Sequence, residues 1–253
     1  MTATEVLFQF RTGALSDTGL VRSHNEDALT AIPDLGLWAI ADGMGGHAAG
    51  DVASGMIVEE LASLGVPVSA QDQRARVLER IERAHHRILA HADAHQLKTV
   101  GATLAVLLIH GGELTCIWAG DSRIYLWRDH ALTPLTQDHS EVAQMVAAGT
   151  LSAAEARQSP RRNVITRAIG IGAVPQPDMV GGALRDGDRL LLCSDGLTEH
   201  VTDSELGAML ALPEGAEPMA QALIALTLER GARDNVSVIV VDCTALPATD
   251  EAT

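Results

Sequence analysis

The sequence predicts an α+β fold in which antiparallel strands form the sheets and helices pack outside them. Three observations carry this. Apolar runs of strand length recur at 6–10, 36–41, 103–109, 113–119, 123–127, 188–193 and 236–242. Helix-length stretches at 51–64, 72–95, 204–212 and 218–230 fall in consecutive pairs instead of alternating with single strands. The strands between them are spaced for hairpins, and Gly111–Gly112 is a turn signal between two of them. A doubly wound parallel sheet would place a helix after each strand, so that architecture is set aside.

Each element has a local reason. The run at 36–41 is almost wholly apolar and stops at Asp42–Gly43. The stretch at 72–95 sets Val77, Ile81, Ile88 and Leu89 among arginines and glutamates, an amphipathic pattern with one buried face. The run from Leu104 to Ile109 is wholly apolar and of strand length, and 113–119 is a second strand-like run. Between about 134 and 172 the chain turns polar, with short helical pieces at 141–148 and 152–158 and an exposed-looking Ser159–Pro160–Arg161–Arg162–Asn163. A segment of this length is read as a flap, with disorder as the competing reading. No repeat, low-complexity tract or Pro-rich linker divides residues 1–253, which are read as a single domain.

Composition narrows the function. With 253 residues, 47% hydrophobic and 20% charged, the chain has material for a sizeable core. Eighteen basic against thirty-three acidic residues give a net charge of −15, and Lys98 is the single lysine. That field repels a phosphate polymer, and 2% aromatics leave little for base stacking, so nucleic acid is excluded as a partner. No apolar run approaches the roughly 18 residues of a membrane span, and Glu5 without a basic n-region argues against a secretory signal, so a cytoplasmic protein is expected. Cys116, Cys193 and Cys243 lie far apart in apolar runs and read as buried thiols in a reducing compartment.

Four aspartates recur in one setting. Asp42, Asp121 and Asp195 each follow an apolar strand-like run, and Asp234 stands just before one. A lone Asp–Gly is more often a turn than a ligand. Four carboxylates at strand ends point instead to a shared site for a hard cation such as Mg²⁺ or Mn²⁺. Gly43, Gly45 and Ala48 match the dinucleotide fingerprint G-x-G-x-x-A, but Asp42 would set a carboxylate against the pyrophosphate, and no βαβ pattern surrounds it. There is no Walker loop, G-x-S-x-G elbow or HExxH.

Seven short motifs then stand in order: Gly19–Leu20–Val21–Arg22–Ser23–His24–Asn25–Glu26–Asp27, Ala41–Asp42–Gly43–Met44–Gly45–Gly46–His47, Gly101–Ala102–Thr103, Gly120–Asp121–Ser122–Arg123, Ile165–Thr166–Arg167–Ala168–Ile169–Gly170, Ser194–Asp195–Gly196–Leu197 and Asp234–Asn235–Val236–Ser237. Each is weak alone. Together, from about Thr12 to Asp242, the chain resembles the bacterial PP2C (PPM) family of metal-dependent serine/threonine protein phosphatases.

The resemblance implies a β-sandwich of two antiparallel sheets with helices on both sides, a four-layer α-β-β-α arrangement. It implies that Asp42 bridges two metals, that the Gly43 carbonyl binds one, and that Asp195 and Asp234 hold the other. Glu26 would act through a water on the metals, Arg22 would clamp the substrate phosphate, and Asp121 with Asp195 would hold a third, weaker ion. The physics agrees: paired divalent ions about 4 Å apart activate water and stabilise in-line displacement at phosphorus. A guanidinium fork matches phosphate as lysine cannot. Two roles stay open. His47 can protonate the leaving oxygen or merely pack its loop, and Asp27 closes the first motif without an assigned role. Asp138, His139 and Ser140 begin the flap and stand where they can touch substrate. His85, His86, His91 and His95 read as a solvated helix face, despite the i,i+4 metal spacing of the last two.

The expected function is hydrolysis of phosphoserine and phosphothreonine in proteins by metal-activated water. The expected ions are Mn²⁺ or Mg²⁺, two in the core and a third bound more weakly. Expected partners are phosphorylated proteins in a Ser/Thr kinase pathway, with the chain a monomer and no membrane or nucleic-acid contact. The alternatives are a phosphoprotein-binding pseudophosphatase and, more remotely, a dinucleotide-binding protein.

Overall fold

A computed structural model of the chain describes residues 7–45 and 49–247. In order, the elements are β1 (Phe8–Asp17), β2 (Asp27–Ile32), β3 (Leu37–Gly45), α1 (Gly50–Ala62), α2 (Ala70–Ala94), β4 (Val100–Ala102), β5 (Leu104–His110), β6 (Glu113–Ala119), β7 (Arg123–Arg128) and β8 (Ala131–Pro134), then α3 (Glu141–Ala147), α4 (Ala153–Gln158), β9 (Asp178–Ala183), β10 (Arg189–Cys193), α5 (Asp195–Thr198), α6 (Asp203–Leu210), α7 (Ala216–Glu229) and β11 (Val236–Ala245).

The strands form two sheets. One has the order β1-β11-β10-β7-β8; the other runs β2-β3-β5-β6-β9, with β4 added on β3. Pairing is antiparallel throughout, as the hairpin spacing predicts. Alternation along each strand divides the core into three layers. Trp38, Ile40, Leu107 and Cys116 of one sheet meet Ile124, Leu192, Ile239 and Val241 of the other. From the opposite face of β3 and β5, Leu37, Ala39, Val106 and Leu108 pack on Ile57, Leu61, Val77 and Ile81 of α1 and α2. On the far side Leu191, Val238 and Val240 pack on Leu206, Leu210, Met219 and Leu223 of α6 and α7. The result is the four-layer arrangement, and it explains why β5 is apolar at consecutive positions: helices cover one face and a second sheet covers the other. All three cysteines are buried free thiols. No helix among the described residues is long and apolar enough to cross a membrane.

The structure corrects several boundaries. β3 continues through Asp42 and Gly43 to Gly45. Asp42–Gly43 is therefore strand, neither a turn nor a phosphate-binding loop, and Gly43 pairs with Ala102. β1 extends to Asp17, well beyond its predicted end. Four strands have no counterpart in the reading of the sequence: β2, β4, β8 and β9. The long helix begins at Ala70, where the Ser69 side chain accepts from the Asp72 N–H as an N-cap. His85 departs from the solvated helix face. It is fully buried, and its Nδ1 accepts from the Gly170 N–H at 3.0 Å.

Candidate active site

Antiparallel order brings the chemistry to one end of both sheets. In the first sheet that end holds the finish of β1 and β10 and the start of β7 and β11, so Asp121, Asp195 and Asp234 gather there. In the second it holds the start of β2 and β5 and the end of β6, beside Asp42 on β3, whose register partner is Asp27. The carboxylates that recur through the sequence thus come to one edge of the sandwich.

The backbone around them is tightly tied. Asn235 accepts the Glu26 N–H at 2.8 Å and donates to the carbonyls of Thr18 and His24, both at 2.9 Å, which fixes the loop carrying Arg22. Gly43 donates its N–H to the Glu26 carbonyl at 3.1 Å. A Cβ on Gly43 would lie 2.2 Å from the Gly50 carbonyl oxygen and 2.6 Å from that of Glu26, so only glycine allows α1 and the Glu26 loop to close here. Arg22, about half exposed, reaches Asp234 Oδ2 at 2.6 Å.

Electrostatics separate this edge from the remaining surface. Burial pushes Asp42 and Asp195 well above the usual carboxylate range, and neighbouring aspartates push them further in the same direction. Burial likewise raises Asp121 to about 6, with Asp138 and Glu199 adding to the shift and Arg123 opposing it. Asp27 is also raised to about 6, although its Oδ2 accepts from Ser194 at 2.8 Å and Ser237 at 2.7 Å. Its Oδ1 is buried with no hydrogen-bond partner among the described residues. Desolvation raises Glu26 as well.

Among the described residues, no three His, Cys, Asp or Glu side chains close on one point as a finished metal cage. The donor set nevertheless suits a hard divalent cation. It consists of oxygen atoms without a thiol, its carboxylates repel one another until a cation compensates them, and beside it lies the buried Asp27 Oδ1, unpartnered among the described residues. Asp42, Asp195, Asp234, Asp121 and the Gly43 carbonyl are the groups able to bind such ions, with Arg22 at the rim for an anion.

Other predicted residues fall differently. His47 lies outside the described residues, as does Ala48 of the glycine-loop match. Asp138 takes a two-point clamp from Arg123, with both bonds at 2.7 Å. Ring nitrogen Nδ1 of His139 accepts from Gly120 N–H at 3.3 Å, while Nε2 lies 3.1 Å from Asp178 Oδ2. Ser140 caps α3 by accepting from Ala143 N–H at 3.2 Å. These three therefore anchor the start of the 134–172 segment. Its far end is tied by the Ala102–Ile169 bridge and by Gly170 on His85. His91 and His95 lie side by side on the helix, with ring centroids 4.2 Å apart and planes tilted by 33°. Two participants are not among the predicted site residues. Glu199, one turn past Asp195, raises both Asp121 and Asp195, and Asn163 of the 134–172 segment donates to it at 2.9 Å. An i,i+4 search from each candidate aspartate would find Glu199.

A family model for protein phosphatase 2C matches residues 21–236. The serine/threonine protein phosphatase PstP of Mycobacterium tuberculosis is 40% identical over 238 residues, which is 94% of this chain and 46% of that protein. The chain thus spans about half the length of that relative. Serine/threonine phosphatase stp of Listeria monocytogenes is 32% identical over 242 residues, covering 92% of this chain and 94% of its own. Among solved structures, the catalytic domain of the serine threonine protein phosphatase PstP in complex with two manganese ions aligns with a TM-score of 0.86 at 38% identity, over 94% of this chain and 100% of that one. The match takes in all seven motifs in part or whole and the whole carboxylate edge, and the chain belongs to the protein phosphatase 2C family.

Proposed function

We propose that residues 1–253 form a single catalytic domain that hydrolyses phosphoserine and phosphothreonine esters in proteins, opposing a Ser/Thr kinase. In this reading it works as a monomer in the cytoplasm. The observation that carries the reading is the gathering of recessed, mutually repelling aspartates at one sheet edge beside a half-exposed arginine.

Two core ions, Mn²⁺ or Mg²⁺, would supply an activated nucleophile and neutralise the phosphoryl oxygens when bound. Asp42 would be the side chain shared by the two core ions, Asp195 and Asp234 would hold one of them, and the Gly43 carbonyl would hold the other. Asp121 would join Asp195 in holding a third, weaker ion. Glu26 would act on the attacking water, and its desolvation favours proton acceptance. Arg22, half exposed beside Asp234, would offer its guanidinium fork to the substrate phosphate. The 134–172 segment is a flap over this edge, touching Glu199 through Asn163.

The test is phosphate release from a phosphothreonine peptide and from p-nitrophenyl phosphate, first in EDTA and then with Mn²⁺. Hydrolysis of both only with Mn²⁺ is expected. Peptide binding without turnover would favour the pseudophosphatase, and tight NAD(H) binding the dinucleotide reading.

A further inference from the structure

Thr103 is the one residue between β4 and β5, at the point where β3 changes partners. Leu37 to Ile40 of β3 pair with β5, whereas Gly43 to Gly45 pair with β4. Asp42 falls in the gap, and Thr103 fills it. The Thr103 N–H donates to the Asp42 carbonyl at 2.8 Å, and the Asp42 N–H donates to Thr103 Oγ1 at 3.1 Å. A side-chain hydroxyl thus replaces a missing ladder bond on the residue assigned to bridge the core ions.

The same hydroxyl reaches the outer position. Thr103 Oγ1 shares a 2.7 Å hydrogen bond with Ser122 Oγ, next in sequence to Asp121. Both side chains are buried, at 4% and 1% exposure, so their bonds have no competition from water. The turn carrying Asp121 also leans on Thr103. Gly120 has φ near +110°, and a Cβ there would lie 2.7 Å from both Cβ and Cγ2 of Thr103. One side chain therefore sets the height of two carboxylate-bearing segments, one from β3 and one from the β6–β7 turn.

We propose that Thr103 is a positioning residue that couples Asp42 of the core pair to Asp121 of the outer site through its hydroxyl bridge to Ser122. The proposal rests on the metal-dependent reading above. Its consequence is that filling the core positions steadies the Asp121 turn, and the outer ion then binds more tightly.

Calorimetric titration of the EDTA-treated full chain with Mn²⁺ tests this without recourse to activity. T103V keeps the shape and removes the hydroxyl; it should weaken the last ion to bind by about tenfold, about 1.4 kcal/mol. T103S keeps the hydroxyl and should return affinity to within about threefold of the parent chain. S122A, which removes only the bridge, should reproduce the loss, and T103V/S122A should be no worse than T103V alone, because T103V already lacks the bond that S122A deletes. A T103V titration like that of the parent chain overturns the coupling, and so does a T103S as weak as T103V, which would assign the effect to methyl packing. If T103V fails to fold, S122A decides: an outer ion bound at parent affinity overturns the proposal. A parent chain that takes up no Mn²⁺ overturns the metal reading and the coupling with it, whereas Mn²⁺ uptake unchanged across all variants overturns the coupling alone.

Discussion

Strand β10 is flanked by two aspartates with opposite surroundings. Asp188, at its start, is 2% exposed and held by Arg128 through bonds of 2.7 and 2.6 Å, with the Arg185 N–H adding a third at 2.7 Å. Asp195, just past its end, meets Asp121, Glu199, Asp234 and Asp27, all of the same sign. The first end has the satisfied charge pair expected of a structural carboxylate. The second holds carboxylates whose neighbours raise their cost, an arrangement that a cation relieves. What distinguishes the functional end is therefore the missing partner, because burial of a carboxylate occurs at both.

The largest effect should come from Asp42, the side chain proposed to be shared by both core ions. Asp42→Asn should lower turnover by about a thousandfold or more, corresponding to about 4 kcal/mol of lost transition-state stabilisation. In EDTA the same variant should melt higher than the parent chain. The sign follows from linkage: Asp42 has a raised folded pKa, so the parent chain loses stability as pH climbs above the unfolded carboxylate value. The variant's advantage should thus be present at pH 7 and shrink toward pH 4. Melting curves in EDTA across that range, with steady-state rates in Mn²⁺, check both parts.

Breaking the paired end should do the reverse. Arg128→Met leaves Asp188 buried without its cation and should cost about 3 kcal/mol of stability, the low end for such a break because Arg128 itself reaches solvent. Urea unfolding measures the loss, while Mn²⁺ titration of the folded variant should match the parent chain. A change in Mn²⁺ affinity would blur the contrast between the two ends.

Arg22→Ala should reduce kcat/KM on a phosphopeptide by about 10- to 150-fold, from about 1.5–3 kcal/mol for a lost charged hydrogen bond, and Arg22→Lys should recover only part. Parent-like kinetics at low substrate would make Arg22 an ordinary partner of Asp234. The smallest effect belongs to Asp121→Ala, expected to leave melting temperature and the two tight ions in place while turnover falls about tenfold, about 1.4 kcal/mol. Lost stability with preserved specific activity would instead assign Asp121 to its turn.

How far the sequence discloses this depends on which signal each element carries. β5, β6, β10 and β11 are apolar enough to read directly, and the helices show amphipathic period or length. β9 is exposed along its length and includes Gly181 and Gly182, so neither alternation nor propensity marks it. β4 is three residues long and exists because β3 runs on past Asp42. The aspartates that gather at the carboxylate edge are legible through their repeated strand-end setting and motif order. Asp138 and His139 carry the same residue types as a site, yet serve the Arg123 clamp and the Gly120 contact, which only tertiary pairing specifies. Thr103 looks like any strand threonine until β3 is seen to change partners beside it.

The most direct test of the contrast between the two ends is Mn²⁺ binding to the EDTA-treated chain at pH 7, measured by calorimetry on the parent protein and Asp42→Asn side by side. The expected result is at least two ions bound by the parent chain and loss of that pair in the variant. Equal uptake by both proteins, or none by the parent chain, would contradict the assignment of the unpaired carboxylate end as a cation site.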